Sequence, residues 1–121
     1  MDHRSFRDRQ LSCHVEVRAD GVHLIVSGDL DHHTCDRFDR AVRAVLTGVP
    51  DSLVLDLTAV RFISAQGTAT LVDAVHRAAE ICAAVAVLPS PAVRGRLALL
   101  GLDLAVEEGP PGDSEPPAAS A

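Results

Sequence analysis

A five-residue, mostly apolar run lies near the middle of the chain: Leu53-Val54-Leu55-Asp56-Leu57. Apolar side chains occur at both alternating positions of this run, so an extended strand here is apolar on both of its faces. Strands of this kind are typical of the centre of a sheet that is covered on both sides. The run therefore predicts a covered central strand, and the neighbouring segments must supply the cover.

Two predicted helices flank this strand in the sequence. Before it, apolar residues recur at helical spacing, which predicts an amphipathic helix with Thr34 as N-cap and Asp36 in its first turn. The apolar positions of this helix are Phe38, Ala41, Val42, Val45 and Leu46. After the strand and a loop at residues 60–63, Ser64 is the predicted N-cap of a second helix that runs to about Ile81. Its apolar positions are Leu71, Val75, Ala78 and Cys82, with Val72 and Ala79 alongside.

The first two strands form a predicted β-hairpin. Apolar and polar residues alternate over residues 13–17 and again over residues 22–26, and the turn residues Ala19-Asp20-Gly21 separate the two runs. This period of two is typical of strands that are buried on one face. The apolar members of the two runs are Cys13, Val15, Val17, Val22, Leu24 and Val26.

A third helix and two further strands complete the predicted fold. Residues 84–88 fit a buried strand, and residues 104–106 fit a short edge strand. Between them, Ser90 and Pro91 begin a helix that Gly101 ends. Its predicted apolar face consists of Val93, Leu97 and Leu100. The resulting order, ββαβαβαβ, predicts an α/β fold in which amphipathic helices cover a mixed β-sheet.

A length of 121 residues predicts one domain, which we place at residues 10–108. Residues 1–9 are rich in charge and are expected to be flexible, and their sequence lacks the apolar core of a secretory signal. Residues 109–121, rich in proline and glycine, are expected to form a disordered tail because they can bury little apolar surface. Three cysteines and no run of 18 apolar residues favour a cytoplasmic protein that is not inserted in a membrane.

Composition and missing motifs argue against several classes of function. Seventeen acidic residues against 11 basic ones give a net charge of −6, which argues against direct nucleic acid binding. An aromatic content of 2% leaves no surface for stacking bases or sugars. The chain contains no P-loop, no dinucleotide-binding fingerprint and no G-x-S-x-G nucleophile motif. We therefore predict no enzyme activity, no catalytic residues and no cofactor.

The histidines and cysteines raise a metal or redox hypothesis. Five potential ligands occur within six residues: Asp31, His32, His33, Cys35 and Asp36. Adjacent residues entering a helix point in different directions, and no second cluster follows, so a solvated loop is favoured and no metal is predicted. Cys35 opens a helix, where a thiolate can be stabilised, but no base is assigned to it. Cys13 and Cys82 occupy apolar positions, where cysteine behaves as a small hydrophobic residue.

The corner between the central strand and the second helix is the remaining candidate site. A helix N-terminus exposes unpaired N–H groups and a partial positive charge. Small side chains at this corner let another protein or a phosphate approach the backbone closely: Ser64, Ala65, Gly67 and Thr68. The alternative is that Gly67 only provides clearance for packing within the domain. The residues alone leave both interpretations open.

The stretch LVLDLTAVRFISAQGTATLVDAV resembles the signature of the STAS domain, the family of bacterial anti-sigma factor antagonists. The family pattern is an apolar strand ending in D-L-S/T, then F-I-D-S-S-G-L, then an amphipathic helix. The matching residues are Asp56-Leu57-Thr58, Phe62-Ile63 and Gly67. Upstream, Gly28-Asp29-Leu30-Asp31 is similar to the family's G-E-L/I-D. Downstream, the segment from Ser90 to Leu102 resembles the one that leads into the family's last helix.

The resemblance implies a STAS-like fold and a regulatory protein-binding domain that acts in transcription without catalysis. In the family, the corner docks on an anti-sigma factor of the ATP-binding kinase family and thereby frees the sigma factor. The kinase then phosphorylates the serine directly before the conserved glycine, and the complex dissociates. The partner-binding residues that the resemblance implies here are Asp31, Ser64, Gln66, Gly67 and Thr68.

Gln66 departs from the family pattern. It precedes Gly67, where the family has its phosphoacceptor serine, and a carboxamide cannot accept a phosphate. Ala65 replaces the first of the family's two serines, and Ser64 stands where the family usually has aspartate. We therefore predict no phosphorylation at the usual position, with Ser64 as a less favoured substitute because its N-cap role is the stronger expectation. Two alternatives stay open: a homodimer, and a STAS subunit of a larger assembly such as a transporter's cytoplasmic component or a sensory scaffold.

Overall fold

A computed structural model of the protein describes residues 10–101. Seven elements follow one another: β1 (Leu11–Arg18), β2 (Gly21–Leu30), α1 (Cys35–Thr47), β3 (Ser52–Ile63), α2 (Ala65–Ile81), β4 (Ala84–Pro89) and α3 (Pro91–Leu99). This order confirms the predicted α/β class. The predicted strand at residues 104–106 and both predicted tails, residues 1–9 and 109–121, lie outside the described residues.

The four strands form one mixed sheet in the order β1-β2-β3-β4. β1 and β2 pair antiparallel as the predicted hairpin, whereas β2 with β3 and β3 with β4 pair parallel. Each parallel step needs a crossover, which α1 supplies between β2 and β3 and α2 supplies between β3 and β4. β3 therefore lies inside the sheet, as its apolar run predicts.

The hydrophobic core lies between one face of the sheet and the two long helices. Leu24, Leu55 and Val87 are neighbours across three strands, and all three are fully buried in the same cluster. The helices add a second layer to this cluster: Phe38, Val42 and Leu46 from α1, and Leu71, Ala74, Val75 and Ala78 from α2. Burying one such Leu, Val or Phe side chain contributes about 1.5–3 kcal/mol, so this face supplies most of the stability.

The opposite face of the sheet is less completely covered. Val54 and Asp56 alternate with the buried leucines of β3 and are half-buried among the described residues. The prediction that β3 is fully covered on both faces was therefore wrong for residues 10–101. The leucines of the run face α1 and α2 and are fully buried, whereas the other parity consists of one apolar residue, Val54, and the acidic Asp56.

β3 extends further than the sequence predicts. The expected loop at residues 60–63 was wrong, because β3 stays paired with β2 as far as the neighbours Leu30 and Ile63. The two strands stay paired across two register shifts in β2, one between Ile25 and Ser27 and one between Gly28 and Asp29. The longer strand brings the chain to Ser64 directly beside the end of β2.

Several residues predicted to be buried lie at the surface. Along β1, burial declines from Leu11, which is 3% exposed, to Val15 at 49% and Val17 at 81%. β1 is an edge strand, so its far end receives less cover than the alternating pattern implies. Leu100 is 52% exposed because α3 ends at Leu99 and the chain turns away through the left-handed Gly101. Ala79 is also exposed.

Candidate functional site

Ser64 forms the corner between β3 and α2. Its backbone is extended, with φ −88° and ψ 175°, and its Oγ accepts a hydrogen bond from the N–H of Gly67 at 2.9 Å. The Thr68 N–H and the Thr68 hydroxyl both donate to the Ser64 carbonyl oxygen, each at 2.8 Å. The bond from Gly67 satisfies one of the N–H groups that a helix start leaves unpaired, which confirms the predicted N-cap.

Gly67 allows α2 to start directly against the end of β2. A Cβ atom at this position would lie 2.2 Å from the Leu30 carbonyl oxygen, far inside van der Waals contact. The same carbonyl oxygen accepts a hydrogen bond from the Ser64 N–H at 3.0 Å. Leu30 therefore fixes both the entry into α2 and the first turn of the helix. Of the two interpretations that the sequence leaves open, the geometry gives Gly67 the packing role.

Asp31 shapes the turn between β2 and α1. Its Oδ1 accepts hydrogen bonds from the N–H groups of His33 at 2.9 Å and Thr34 at 3.2 Å. The Thr34 hydroxyl accepts from the Asp31 N–H at 3.0 Å and donates to the Asp29 carbonyl oxygen at 2.7 Å. Thr34 does occupy the N-cap position, but its side chain makes no capping bond. The predicted N-cap position of Thr34 is therefore confirmed, and its hydroxyl bonds to Asp29 and Asp31 instead of to the first turn of α1.

The five predicted partner-binding residues lie in two layers. Gln66 is exposed and Ser64 is half-buried, whereas Gly67 is buried, Thr68 is 2% exposed and Asp31 is 3% exposed. Burial therefore divides the five residues into an accessible pair, Ser64 and Gln66, and a buried set of three. The buried three hold the starts of α1 and α2 next to the end of β2, and only the outer layer can touch another protein.

The accessible part of the corner continues along α2. We call the residues Ala65, Gln66, Ala69, Thr70 and Asp73 the Gln66 face. They are exposed apart from the half-buried Thr70, whose hydroxyl donates to the Gln66 carbonyl oxygen at 3.1 Å. Sequence reasoning missed the last three, although their spacing of three, four and seven residues from Gln66 places them on one side of a helix.

An open groove of about 480 Å³ separates the Gln66 face from α1. On the α1 side it is lined by Cys35, Asp36, Asp39 and Arg43. Asp39 accepts hydrogen bonds from Arg43 at 2.8 Å and from Arg77 at 3.2 Å, and Arg77 also bonds Asp73 at 3.0 Å. Ion pairs of this kind at a surface contribute about 0–1 kcal/mol each, so their main effect is to fix the charges that line the groove.

The histidines and cysteine that raise the metal or redox hypothesis lie in different environments. The rings of His32 and His33 are exposed, with centroids 3.9 Å apart, while Cys35 is buried and its Sγ lies 3.8 Å from the His32 carbonyl oxygen. Within residues 10–101, no group of three or more His, Cys, Asp or Glu side chains is placed to hold a metal ion. Burial raises the pKa of the Cys13 and Cys82 thiols above the ordinary value of 9.0.

The hairpin-first mixed sheet and the capped strand-to-helix corner define the class of this protein. The chain belongs to the STAS domain family, whose model matches residues 13–111. No curated protein matches the chain significantly. No helix within residues 10–101 has the length and apolar character needed to span a membrane.

Several solved structures share this fold. An anti-sigma factor antagonist from Mycobacterium paratuberculosis is 28% identical, with a TM-score of 0.73 over 81% of this chain and 86% of that one. The anti-sigma factor antagonist SpoIIAA in its unphosphorylated form is 16% identical, with a TM-score of 0.66 over 84% of this chain and 91% of that one. The Bacillus cell fate determinant SpoIIAA in its phosphorylated form is also 16% identical, with a TM-score of 0.61 over 84% and 95%.

Proposed function

We propose that this protein is an anti-sigma factor antagonist that binds an anti-sigma factor of the ATP-binding kinase family through the Gln66 face. STAS family membership and the similarity to the mycobacterial antagonist support this role. The observation that carries the proposal is the exposure of Gln66 on a first turn whose neighbours Gly67 and Thr68 are buried. The proposed setting is transcription regulation in the bacterial cytoplasm, with no catalysis, no cofactor and no direct contact with nucleic acid.

Gln66 also removes the usual way of releasing the partner. In the family, a phosphate at the position before the glycine adds about −1.5 to −2 charges to the interface and separates the proteins. A carboxamide at that position has no hydroxyl to phosphorylate. The neighbouring hydroxyls are already engaged: that of Ser64 caps Gly67, that of Thr68 donates to the Ser64 carbonyl oxygen, and that of Thr70 donates to the Gln66 carbonyl oxygen. We therefore propose that the complex persists in the presence of ATP.

A charge placed on the Gln66 face tests the docking surface. Isothermal titration would measure binding to the kinase-type anti-sigma factors encoded near this gene. Gln66→Asp should weaken binding about tenfold or more, because an unpaired carboxylate must lose water inside the interface. Ala19→Asp adds the same charge in the exposed β1–β2 turn, at the opposite end of β2, and should leave affinity unchanged. Equal effects of the two variants, or no binding by the unaltered protein, would contradict the proposal.

A gain-of-function variant tests the missing switch. Gln66→Ser restores a hydroxyl at the family's phosphorylation position, and incubation with the partner and ATP should add one phosphate and release the complex. The unaltered protein under the same conditions should gain no phosphate at the corner and should stay bound. Intact-mass spectrometry and titration with and without ATP measure both results. ATP-dependent phosphorylation and release of the unaltered protein would show that another residue has taken over the switch.

A further inference from the structure

The outer edge of β1 has backbone groups that are free to pair. The Asp29 N–H donates to the Gln10 carbonyl oxygen at 3.2 Å, so Gln10 bonds towards β2. Because the direction of the backbone groups alternates along an antiparallel pair, the N–H and C=O groups of residues 12, 14, 16 and 18 also point towards β2. The groups of residues 11, 13, 15 and 17 consequently point away from the sheet. Arg37 confirms this direction, because it donates to the Leu11 carbonyl oxygen at 2.9 Å. No strand among residues 10–101 pairs with this side of β1.

β1 carries two exposed valines and has neither a proline nor a bulge along its outer edge. Val15 and Val17 lie on the face of the strand that also bears Leu11, and they are 49% and 81% exposed. Natural proteins normally blunt an exposed edge with proline, a bulge or an inward-pointing charge, and β1 pairs with β2 without interruption from Leu11 to Arg18. An uninterrupted edge with exposed valines is a suitable template for another strand.

The other face of β1 carries a charge pattern that is complementary to itself. His14 Nε2 lies 3.3 Å from a Glu16 carboxylate oxygen, and Arg18 bonds the same carboxylate. The hydrogen bond from Arg18 holds the pKa of Glu16 below its ordinary value, so the carboxylate is ionised at neutral pH. In an antiparallel pair, side chains directly opposite each other interact most strongly, and like charges there are unfavourable.

We propose that two copies of this chain pair through β1, antiparallel, around a two-fold axis at Val15, and so join their sheets into one. In this register Val15 faces Val15 of the second copy, and Cys13 faces Val17 of the second copy. His14 then faces Glu16 of the second copy, and symmetry makes this pair occur twice. About six backbone hydrogen bonds form, two for each pair of outward-facing residues.

The charges select this register over its neighbours. An axis at Glu16 places two carboxylates opposite each other and sets His14 against Arg18. An axis at His14 sets Glu16 against Ser12 and gives it no cationic or N–H-donating side chain. An axis at Val17 sets Glu16 against Arg18, but it also sets Val15 against Ala19 in the β1–β2 turn, so fewer backbone hydrogen bonds can form. Of these four registers, the axis at Val15 combines a His14–Glu16 pair with pairing along most of the strand, and this self-complementarity makes a second copy the expected occupant of the edge.

Sedimentation velocity of the full chain over a wide concentration range tests the dimer. One edge strand buries less area than a standard stable interface, so we expect dissociation in the micromolar range. Val15→Pro deletes an N–H that points away from β2, so it should abolish the dimer while the domain stays folded by urea titration. A chain that stays monomeric at all concentrations, or a dimer that persists in folded Val15→Pro, would overturn the proposal.

A charge exchange tests the register independently of strand stability. Glu16→Arg removes the acceptor opposite His14 in both symmetric pairs and should weaken the dimer about two- to thirtyfold. Adding His14→Glu to this variant restores opposite charges across the axis and should recover the affinity. The single and double variants share the same change beside Arg18, and urea unfolding of each variant measures the separate effect on the contact between residues 14 and 16 within one chain. Failure of the double variant to recover affinity would exclude this register.

Amide hydrogen exchange identifies any other occupant of the edge. In the proposed dimer, protection of the Val15 N–H rises with protein concentration, whereas the Glu16 N–H, which points to β2, is protected at all concentrations. Concentration-independent protection of Val15 in a monomer would show that the chain's own terminal residues cover β1, and the proposal would fall.

Discussion

Replacing Gly67 with alanine adds one methyl group at the point where α2 contacts β2. The new Cβ would lie 2.2 Å from the oxygen and 2.9 Å from the carbon of the Leu30 carbonyl, and 3.1 Å from Leu30 Cγ. The two nearest atoms belong to the backbone of a buried, paired strand, so they cannot rotate away as a flexible side chain can. The start of α2 must therefore move away from β2.

Three effects set the size of the change in stability. Alanine is a better helix former than glycine by about 1 kcal/mol, which opposes the loss. Forcing an extra carbon into a packed contact costs about 1–3 kcal/mol. The shift also stretches the bond from the Ser64 N–H to Leu30, which contributes about 0.5–1.5 kcal/mol. The net expectation is a loss of about 0.5–3.5 kcal/mol in the free energy of unfolding.

Gly95 offers a matched control within the same chain. It lies in α3, is exposed, and a Cβ there would meet nothing within 4 Å. Gly95→Ala should therefore gain about 0.5–1 kcal/mol, from helix propensity and from the reduced freedom of the unfolded chain. The same chemical change is thus expected to have opposite signs at two helical positions.

Urea unfolding followed by circular dichroism measures both variants. The slope of the free energy against urea should stay constant, so that shifts in the midpoint report stability alone. In a thermal scan, each kcal/mol corresponds to about 4–8 °C for a domain of this size. If Gly67→Ala is as stable as Gly95→Ala, the contact with Leu30 is not as close as described and the argument for a rigid corner fails.

Three further predictions concern local features of the fold. Ser64→Ala removes the α2 cap and should cost about 0.5–2 kcal/mol in urea unfolding, whereas Thr70→Ala, on the same helix, should cost less than about 0.5 kcal/mol. Val49 has a left-handed φ of 47°, so Val49→Gly should stabilise by up to about 1 kcal/mol, and a lower melting temperature would refute this. Burial raises the pKa of the Cys13 thiol, so the folded state holds this proton more tightly than the unfolded chain does. Stability should therefore fall as the pH rises above about 9, and Cys13→Ala should flatten that fall in urea titrations at different pH values.

The sequence predicts the elements well wherever the apolar pattern is local. The hairpin, the two long helices and the caps at Ser64 and Ser90 follow from short-range rules, and the structure confirms them. The end of β3 was missed because residues 58 and 59 are exposed, and the pairing beyond them depends on register shifts in β2. No pattern within β3 itself contains that information.

Burial was harder to predict than secondary structure. Val15 and Val17 alternate as a half-buried strand should, yet both are substantially exposed because β1 is at the edge of the sheet and the cover ends near Leu11. The position of a strand within a sheet is a property of the whole chain. Alternation alone therefore identifies the apolar face of a strand but not how much of it is covered.

The sequence indicates the corner at Ser64 as a candidate site, but it does not indicate which residues of that corner are buried. Gly67 was open to either a docking or a packing interpretation, and only the approach of Leu30, 37 positions earlier, decides between them. From the sequence, Asp31 and Thr68 would be expected at the surface because they are polar. In the structure both are buried, and their side chains form hydrogen bonds with nearby backbone groups. Small and polar residues at a helix start serve equally for capping and for binding, so residue type alone cannot separate the two.

The shared carbonyl of Leu30 has a consequence for how the proposed docking surface would discriminate between partners. Because one strand oxygen both receives the Ser64 N–H and abuts Gly67, the first turn of α2 cannot tilt without disturbing the sheet. A partner that binds at this turn would contact a backbone that is already ordered, so no binding free energy would be lost in ordering it. Selectivity must then reside in the few side chains that project outward from this turn. A single substitution on one turn of the helix could therefore change which partner binds.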